Sequence, residues 1–166
     1  MTSRSRLLSE TDLPAPVEDR YFEDYQPGST YDFGTLGVTE EEIVAFARAW
    51  DPQAIHTDPV WAATGPFEGL IASGLHTMAV CMRLYVEHYI SAVASLASPG
   101  LGEVSWPAPV RPGDELRIRV TVASARASRT RPDRGLVHTD LEGLNQHGIS
   151  VLSFTAVNFF ALRHPA

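Results

Sequence analysis

The chain shows its first clear hydrophobic pattern at residues 39–50, which read TEEEIVAFARAW. Apolar side chains recur in this stretch at the three- and four-residue spacing of an amphipathic helix. They are Ile43, Phe46, Ala47 and Trp50. Thr39 and Glu42 have the spacing of a capping box, which predicts that the helix begins after Thr39. The helix is expected to end near Trp50, because Pro52 disfavours the helical conformation at Asp51.

Two further helices are predicted between residues 58 and 90. The shorter one is expected to begin at Pro59, a residue favoured at the first helical position, with Asp58 as its N-cap. The longer one follows the sequence IASG at residues 71–74 and has a wide apolar face. The residues of that face are Leu75, Met78, Ala79, Cys81, Met82, Leu84, Tyr85, Val86 and Tyr89. So wide a face predicts a helix that is largely enclosed by other structure.

From Gly102 onward the hydrophobic period changes to two, which predicts β-strands. The strands are expected at residues 103–110, 114–124, 135–146 and 149–163, with an earlier one at 30–38. Short turns separate the later strands, so neighbouring strands should pair antiparallel. One long apolar helix followed by such strands predicts a single α+β domain in which a curved antiparallel sheet wraps around the helix.

Length and composition agree with one domain. The chain has 166 residues, and its first 20 contain two prolines and little periodicity. We therefore expect an extended N-terminal segment at residues 1–20 and the folded domain at 21–166. The net charge of −7 argues against nucleic acid or an acidic membrane as the main partner.

Cysteine usage and hydropathy bear on location. Cys81 is the only cysteine, so no intrachain disulfide can form, and a reducing cytoplasm is the expected compartment. The first ten residues lack an apolar stretch of signal-peptide length. The most apolar region, residues 75–98, contains Arg83, Glu87 and His88 and so does not qualify as a membrane span. Cys81 itself is expected to pack in the core.

Candidate chemistry lies in DPQAIHTD, residues 51–58. Asp51 follows a helix C-terminus, where the helix dipole and partial burial would raise the pKa of its carboxyl group. His56 is expected after a non-helical turn at Pro52, so that both side chains could converge on one point. Such an acid–base pair can add water to a double bond or remove it. The alternative is that Asp51 only ends a helix and His56 is structural.

Two neighbouring features are interpreted more simply. Asp58 is assigned to helix capping. His56, Asp58 and His76 do not have a recognised metal-ligand spacing, so no metal site is predicted.

Ser73 and Gly74 lie where the long helix begins, and unpaired backbone N–H groups point out of such an end. Gly74 lacks a side chain, so a ligand could approach this backbone closely. A helix N-terminus that faces a carbonyl oxygen stabilises negative charge developing on that oxygen. A Ser-Gly helix start that binds no ligand is the alternative.

In combination, these motifs resemble the MaoC-like hydratase/dehydratase family, which includes (R)-specific enoyl-CoA hydratases. The family pattern of an acid, an aliphatic residue, a histidine and a second acid is matched by Asp51, Ile55, His56 and Asp58. IASGLHTMAVCMRL resembles the family's central helix, PAPVRPGDELRIRVTV resembles a family strand region, and residues 143–163 fit its closing hairpin.

The resemblance implies a hot-dog fold that assembles as a homodimer or a higher homo-oligomer. It implies reversible conversion of a 2-enoyl-CoA to an (R)-3-hydroxyacyl-CoA, with an acyl-carrier-protein thioester as the other candidate substrate. Asp51 and His56 would activate the water, while the Gly74 N–H, helped by Ser73, would hold the thioester oxygen. No metal or redox cofactor is implied, and coenzyme A enters only as part of the substrate.

Three residues differ from the family pattern. Gln53 replaces Asn and is expected to contact substrate through its amide. Ala54 replaces Pro. Trp50 replaces Gly and could narrow the pocket or pack in the core.

An arginine cluster could bind the phosphates of the substrate, or it could be a solvated loop. Its residues are Arg126, Arg129, Arg131 and Arg134. A hot-dog thioesterase and a non-catalytic acyl-thioester-binding subunit remain alternative functions.

Overall fold

The computed structural model describes residues 12–165. Its helices are α1 (Glu40–Trp50), α2 (Ala54–Thr57), α3 (Pro59–Ala63) and α4 (Gly74–His88). Its strands are β1 (Thr30–Gly37), β2 (Ser95–Ser105), β3 (Glu115–Ala127), β4 (Arg134–Leu144) and β5 (Ser150–Ala161). The strands form one five-stranded antiparallel sheet in the order β1-β3-β4-β5-β2.

The sheet wraps around α4, as expected for an α+β hot-dog domain. Alternate residues of β3 point inward, and Leu116, Ile118 and Val120 are fully buried in the same core cluster as Cys81 and other residues of α4. One polar contact inside this core joins α4 to β5: the Tyr85 hydroxyl donates to Asn158 Oδ1 at 3.0 Å. Burial raises the pKa of the Cys81 thiol to about 12, so this side chain packs as an apolar group.

The apolar face predicted for α4 is partly wrong. Leu75 and Val86 are about half exposed, at 51% and 52%, whereas His76 and Thr77 are buried. The predicted positions extend around more than half of the helix circumference, but the sheet of this chain covers one side only. The buried stripe is therefore displaced around the helix from the predicted apolar one.

Strand β2 also differs from the prediction. The expected strand at residues 103–110 is instead Ser95–Ser105, and residues 106–110 leave the sheet. β2 pairs only with β5, so it is an edge strand, and ten of its eleven residues are exposed. Such a strand needs no apolar alternation, which is why periodicity did not reveal it.

The expected extended segment at residues 1–20 is described only from residue 12. Residues Val17–Asp19 form a 3-10 turn, and Arg20 is fully buried. The Arg20 guanidinium donates to the Ala15, His88 and Tyr89 carbonyl oxygens at 2.8–2.9 Å. This part of the segment therefore packs against the domain and caps the C-terminus of α4. Within residues 12–165, no helix has both the length and the hydrophobicity needed to cross a membrane.

Replacement of Arg20 by Met should lower the free energy of unfolding by about 3 kcal/mol, because buried carbonyl groups lose their donor. Urea denaturation at pH 7 measures this change. Arg83→Met is the matched control, since Arg83 is exposed and pairs with Glu87, four residues along α4. Equal unfolding midpoints for the two variants would contradict the capping role of Arg20.

Candidate active site

The stretch from residue 39 to 63 is organised by two helix caps that the sequence predicted. Thr39 and Glu42 form the capping box of α1, and Asp58 Oδ1 accepts from the Val60 and Trp61 N–H groups at 3.0 Å. Asp51 follows the last residue of α1, and its N–H donates to the Ala47 carbonyl oxygen at 2.8 Å. The Asp51 side chain is therefore held where α1 ends.

His56 follows the non-helical turn at Pro52, as expected, but it lies in a short helix, α2, that was not predicted. Pro52 ends α1, but the chain re-enters a single helical turn at Ala54. His56 Nδ1 lies 2.8 Å from the Ile71 carbonyl oxygen, and its ring is buried. Since a carbonyl oxygen can only accept, Nδ1 carries a proton, and Nε2 of the neutral ring is an acceptor.

Asp51 and His56 converge, as predicted, with His56 Nε2 3.5 Å from Asp51 Oδ2. A neutral imidazole nitrogen and a carboxylate oxygen are both acceptors, so they do not satisfy each other. A donor with two hydrogens, such as water, would satisfy both.

The environment of Asp51 contradicts the expectation of a raised pKa. Its Oδ2 accepts from the Ser73 hydroxyl at 2.6 Å, and its Oδ1 accepts from Gln53 Nε2 at 2.7 Å. These two hydrogen bonds, Ser73 first and Gln53 second, lower the pKa of the carboxyl group and outweigh the opposing effect of burial. Asp51 is therefore ionised at neutral pH.

Gln53 thus uses one amide N–H on Asp51, and its contact with a substrate stays a prediction. The side chain also lines the cavity that contains Asp51.

Ser73 is the N-cap of α4 and is fully buried. Its hydroxyl oxygen accepts from the Leu75 N–H at 3.2 Å while donating to Asp51. The Gly74 N–H makes no hydrogen bond within residues 12–165. This N–H is a free donor beside the carboxylate, as the sequence suggested.

A second contact also requires glycine at position 74. A Cβ atom there would lie 2.8 Å from the Trp106 indole, and Trp106 Nε1 donates to the Gly74 carbonyl oxygen at 2.9 Å. Glycine at this position therefore lets the Trp106 indole pack against the backbone of α4. Sequence reasoning missed Trp106 because residues 103–110 were assigned to a strand.

All five predicted site residues line one cavity of about 410 Å³. They are Asp51, Gln53, His56, Ser73 and Gly74. Most of the remaining wall is apolar, with Phe67, Ile71, Trp106 and Val110 among its residues. A few convergent polar groups in an otherwise apolar cleft are typical of small-molecule sites.

Other candidates lie elsewhere. Trp50 is 73% exposed and neither narrows this cavity nor packs in the core. Arg126 and Arg129 line a separate cavity with Phe159, and Arg134 pairs with Asp133 at 2.7 Å. His76 stacks on Phe46.

In the described part of the chain, no three His, Cys, Asp or Glu side chains are grouped to hold a metal ion. Independence from metal and redox cofactors stays a prediction.

Comparison with known proteins identifies the domain. A family model described as "MaoC like domain" matches residues 23–142. The chain is 43% identical over 82 residues to 3-hydroxyacyl-thioester dehydratase Z of Mycobacterium tuberculosis; the match covers 48% of this chain and 54% of that protein, about half its length. It is 34% identical over 118 residues to 3-hydroxybutyryl-CoA dehydratase of Methylorubrum extorquens, covering 67% and 69% of the two chains.

A solved structure gives the same result. The crystal structure of the MaoC-like dehydratase from Rhodospirillum rubrum superposes with a TM-score of 0.78 at 38% sequence identity. The match covers 87% of this chain and 99% of that one. The resemblance proposed from the motifs and the predicted fold are both confirmed.

Replacement of Ser73 by Ala should raise the pKa of Asp51 toward the ordinary aspartate value, because the larger of its two stabilising hydrogen bonds is lost. Gln53→Ala should raise the same pKa by less. Carboxyl-detected NMR titration of the side chain measures both. An unchanged Asp51 pKa in Ser73→Ala would contradict this account.

The same shift affects acid stability. Folding lowers the Asp51 pKa, so its ionised form stabilises the folded state above the unfolded pKa, near 3.9. That contribution disappears as the pH falls through the folded pKa. The stability difference between wild type and Ser73→Ala should therefore be larger at pH 7 than at pH 2.

Proposed function

Since this chain belongs to the MaoC-like domain family, we propose that it is a hydratase/dehydratase of α,β-unsaturated acyl thioesters. The proposed reaction is the reversible conversion of a 2-enoyl-CoA to an (R)-3-hydroxyacyl-CoA. One observation carries the proposal: two hydrogen-bond acceptors, Asp51 Oδ2 and His56 Nε2, lie 3.5 Å apart in a cavity that also contains the free Gly74 N–H. The names of the dehydratase relatives support the same reaction class.

In the hydration direction, Asp51 and His56 would each accept a hydrogen bond from one water molecule. As the water oxygen bonds to the β-carbon, the pair removes a proton from the water, and the electron pair of the double bond moves toward the thioester carbonyl. The same proton is then delivered to the α-carbon. The lowered pKa of Asp51 keeps its carboxylate ionised, and therefore a hydrogen-bond acceptor, at neutral pH.

The Gly74 N–H would stabilise the enolate oxygen that forms during this step. It lies at the N-terminus of α4, where the helix dipole favours negative charge. Removal of one such donor typically costs about 3 kcal/mol of transition-state stabilisation. Ser73 and Gln53 would act as positioning residues, since both hold the Asp51 carboxylate.

Asp51→Asn and His56→Ala should each lower the rate of trans-2-enoyl-CoA hydration by about 10²- to 10⁴-fold, since each removes part of the acid–base pair. Loss of the conjugated enoyl absorbance measures hydration, and a thiol reagent in parallel measures thioester cleavage. Asp58→Asn is the matched control, because Asn caps a helix as well as Asp does and Asp58 does not line the cavity.

Each outcome discriminates among functions. Absorbance loss without thiol release, reduced in both site variants and retained in the control, supports the hydratase. Thiol release would indicate a thioesterase. Binding of acyl-CoA without either reaction, across short, medium and long enoyl chains, would indicate a non-catalytic binding subunit.

We also propose that the chain assembles as a homodimer through β2. This edge strand is long and exposed, and Leu96 and Leu101 are both partly open to solvent, at 45% and 38%. An unprotected edge of this kind is suited to pairing with a second strand. Pairing of two β2 strands would extend the sheet across two copies.

Replacement of both Leu96 and Leu101 by Lys should produce a monomer, because like charges would face each other across the paired edges. Size-exclusion chromatography with light scattering measures the mass. Ile149→Lys is the control, since Ile149 is half exposed but lies outside β2. A monomeric wild type, or a dimeric double variant, would contradict the proposed interface.

A further inference from the structure

We propose that Trp106 is the residue that excludes acyl thioesters with a substituent on the α-carbon. It would do so by occupying the space beside the Gly74 N–H. This inference rests on the proposed function, in which that N–H holds the thioester oxygen. Trp106 would limit the size of the group on the α-carbon of the substrate, and it would take no part in proton transfer.

The indole is fixed from two directions. Trp106 lies directly after the end of β2 and directly before Pro107, and a residue that precedes proline is restricted to extended conformations. At the other end of the side chain, Nε1 donates to the Gly74 carbonyl oxygen at 2.9 Å. Backbone restriction and a terminal hydrogen bond together hold the ring against the first residue of α4.

The ring lies close to where the reacting carbons would be. A Cβ atom built on Gly74 would approach three indole atoms at 2.8, 3.0 and 3.2 Å, so the space beside the Gly74 Cα is filled. The Gly74 nitrogen is one bond, about 1.5 Å, from that Cα. A carbonyl oxygen about 2.9 Å from this nitrogen would place its carbon, and the sulphur and α-carbon attached to it, beside the indole.

The segment after Trp106 also holds its position. Ala108, Pro109 and Val110 line the same cavity, and the Val110 carbonyl oxygen accepts from the Ala72 N–H at 2.8 Å. This bond joins the wall to the segment that leads into α4. The segment from Trp106 to Val110 therefore cannot move away as a whole to make room for a methyl group on the α-carbon.

Trp106 is nevertheless 45% exposed and is not part of the core cluster. Its truncation should leave the fold intact, and the cavity should open toward solvent. The expected result is a change in substrate choice rather than a loss of the acid–base pair.

Binding of saturated thioesters tests the inference without requiring catalysis. Butyryl-CoA and isobutyryl-CoA have the same atoms and differ only in branching at the α-carbon. Wild type should bind butyryl-CoA at least about 10-fold more tightly than isobutyryl-CoA. This is the lower end of the discrimination that one methylene group gives in an apolar pocket. Trp106→Ala should reduce this ratio to about 2-fold or less, and Trp106→Phe should retain most of it.

A spectroscopic control reports on Trp106 directly. Trp50 and Trp61 are exposed and do not line the cavity, so a Trp50→Phe/Trp61→Phe variant leaves Trp106 as the sole tryptophan. The fluorescence emission of Trp106 should change on addition of butyryl-CoA. The affinity obtained from this change should equal the affinity that calorimetry gives for wild type. Trp106→Leu replaces Trp106→Ala if circular dichroism shows that the alanine variant is unfolded.

Hydration of crotonyl-CoA and 2-methylcrotonyl-CoA separates the two proposals. Selective binding without hydration would overturn the proposed function and leave the role of Trp106 in the cavity standing. Hydration with no preference against the methyl group, or a preference unchanged by truncation of Trp106, would overturn this inference and leave the hydratase intact. Absence of all acyl-CoA binding would overturn both.

Discussion

One buried hydroxyl group joins the parts of the site. Ser73 donates to the Asp51 carboxylate and accepts from the Leu75 N–H, so the end of α1 and the start of α4 meet at a single oxygen. A hydroxyl has one donor and two acceptor positions, and this arrangement uses the donor on the carboxylate. The helix start and the charge of Asp51 are therefore set by the same group.

The two ends of α4 are satisfied in opposite ways. At its C-terminus, the buried Arg20 guanidinium donates to the His88 and Tyr89 carbonyl oxygens and so matches the negative end of the helix dipole. At its N-terminus, the Gly74 N–H has no partner among the described residues, and Gly74 lines the cavity. The unsatisfied end is the one available for a substrate, and the closed end anchors the helix against the sheet.

Local patterns predicted what local contacts determine. The capping box at Thr39, the N-cap at Asp58 and the start of α4 at Ser73 each depend on neighbours within a few residues, and each was found. The Asp51 pKa was predicted in the wrong direction, because its main hydrogen bond comes from 22 residues away. β2 was misplaced for another reason: it is an exposed edge strand, and such a strand needs no alternation of apolar residues.

Chemistry and selectivity come from different parts of the chain. The groups proposed to act on water and on the thioester oxygen all lie between residues 51 and 74, where caps and short helices fix their geometry. The facing wall begins at Trp106, outside regular secondary structure, and contacts α4 through one side-chain hydrogen bond. A change in that wall can reshape the cavity without disturbing Asp51 or His56, since neither residue hydrogen-bonds to it. The fold thus allows the cavity wall to vary while the proposed acid–base pair stays fixed.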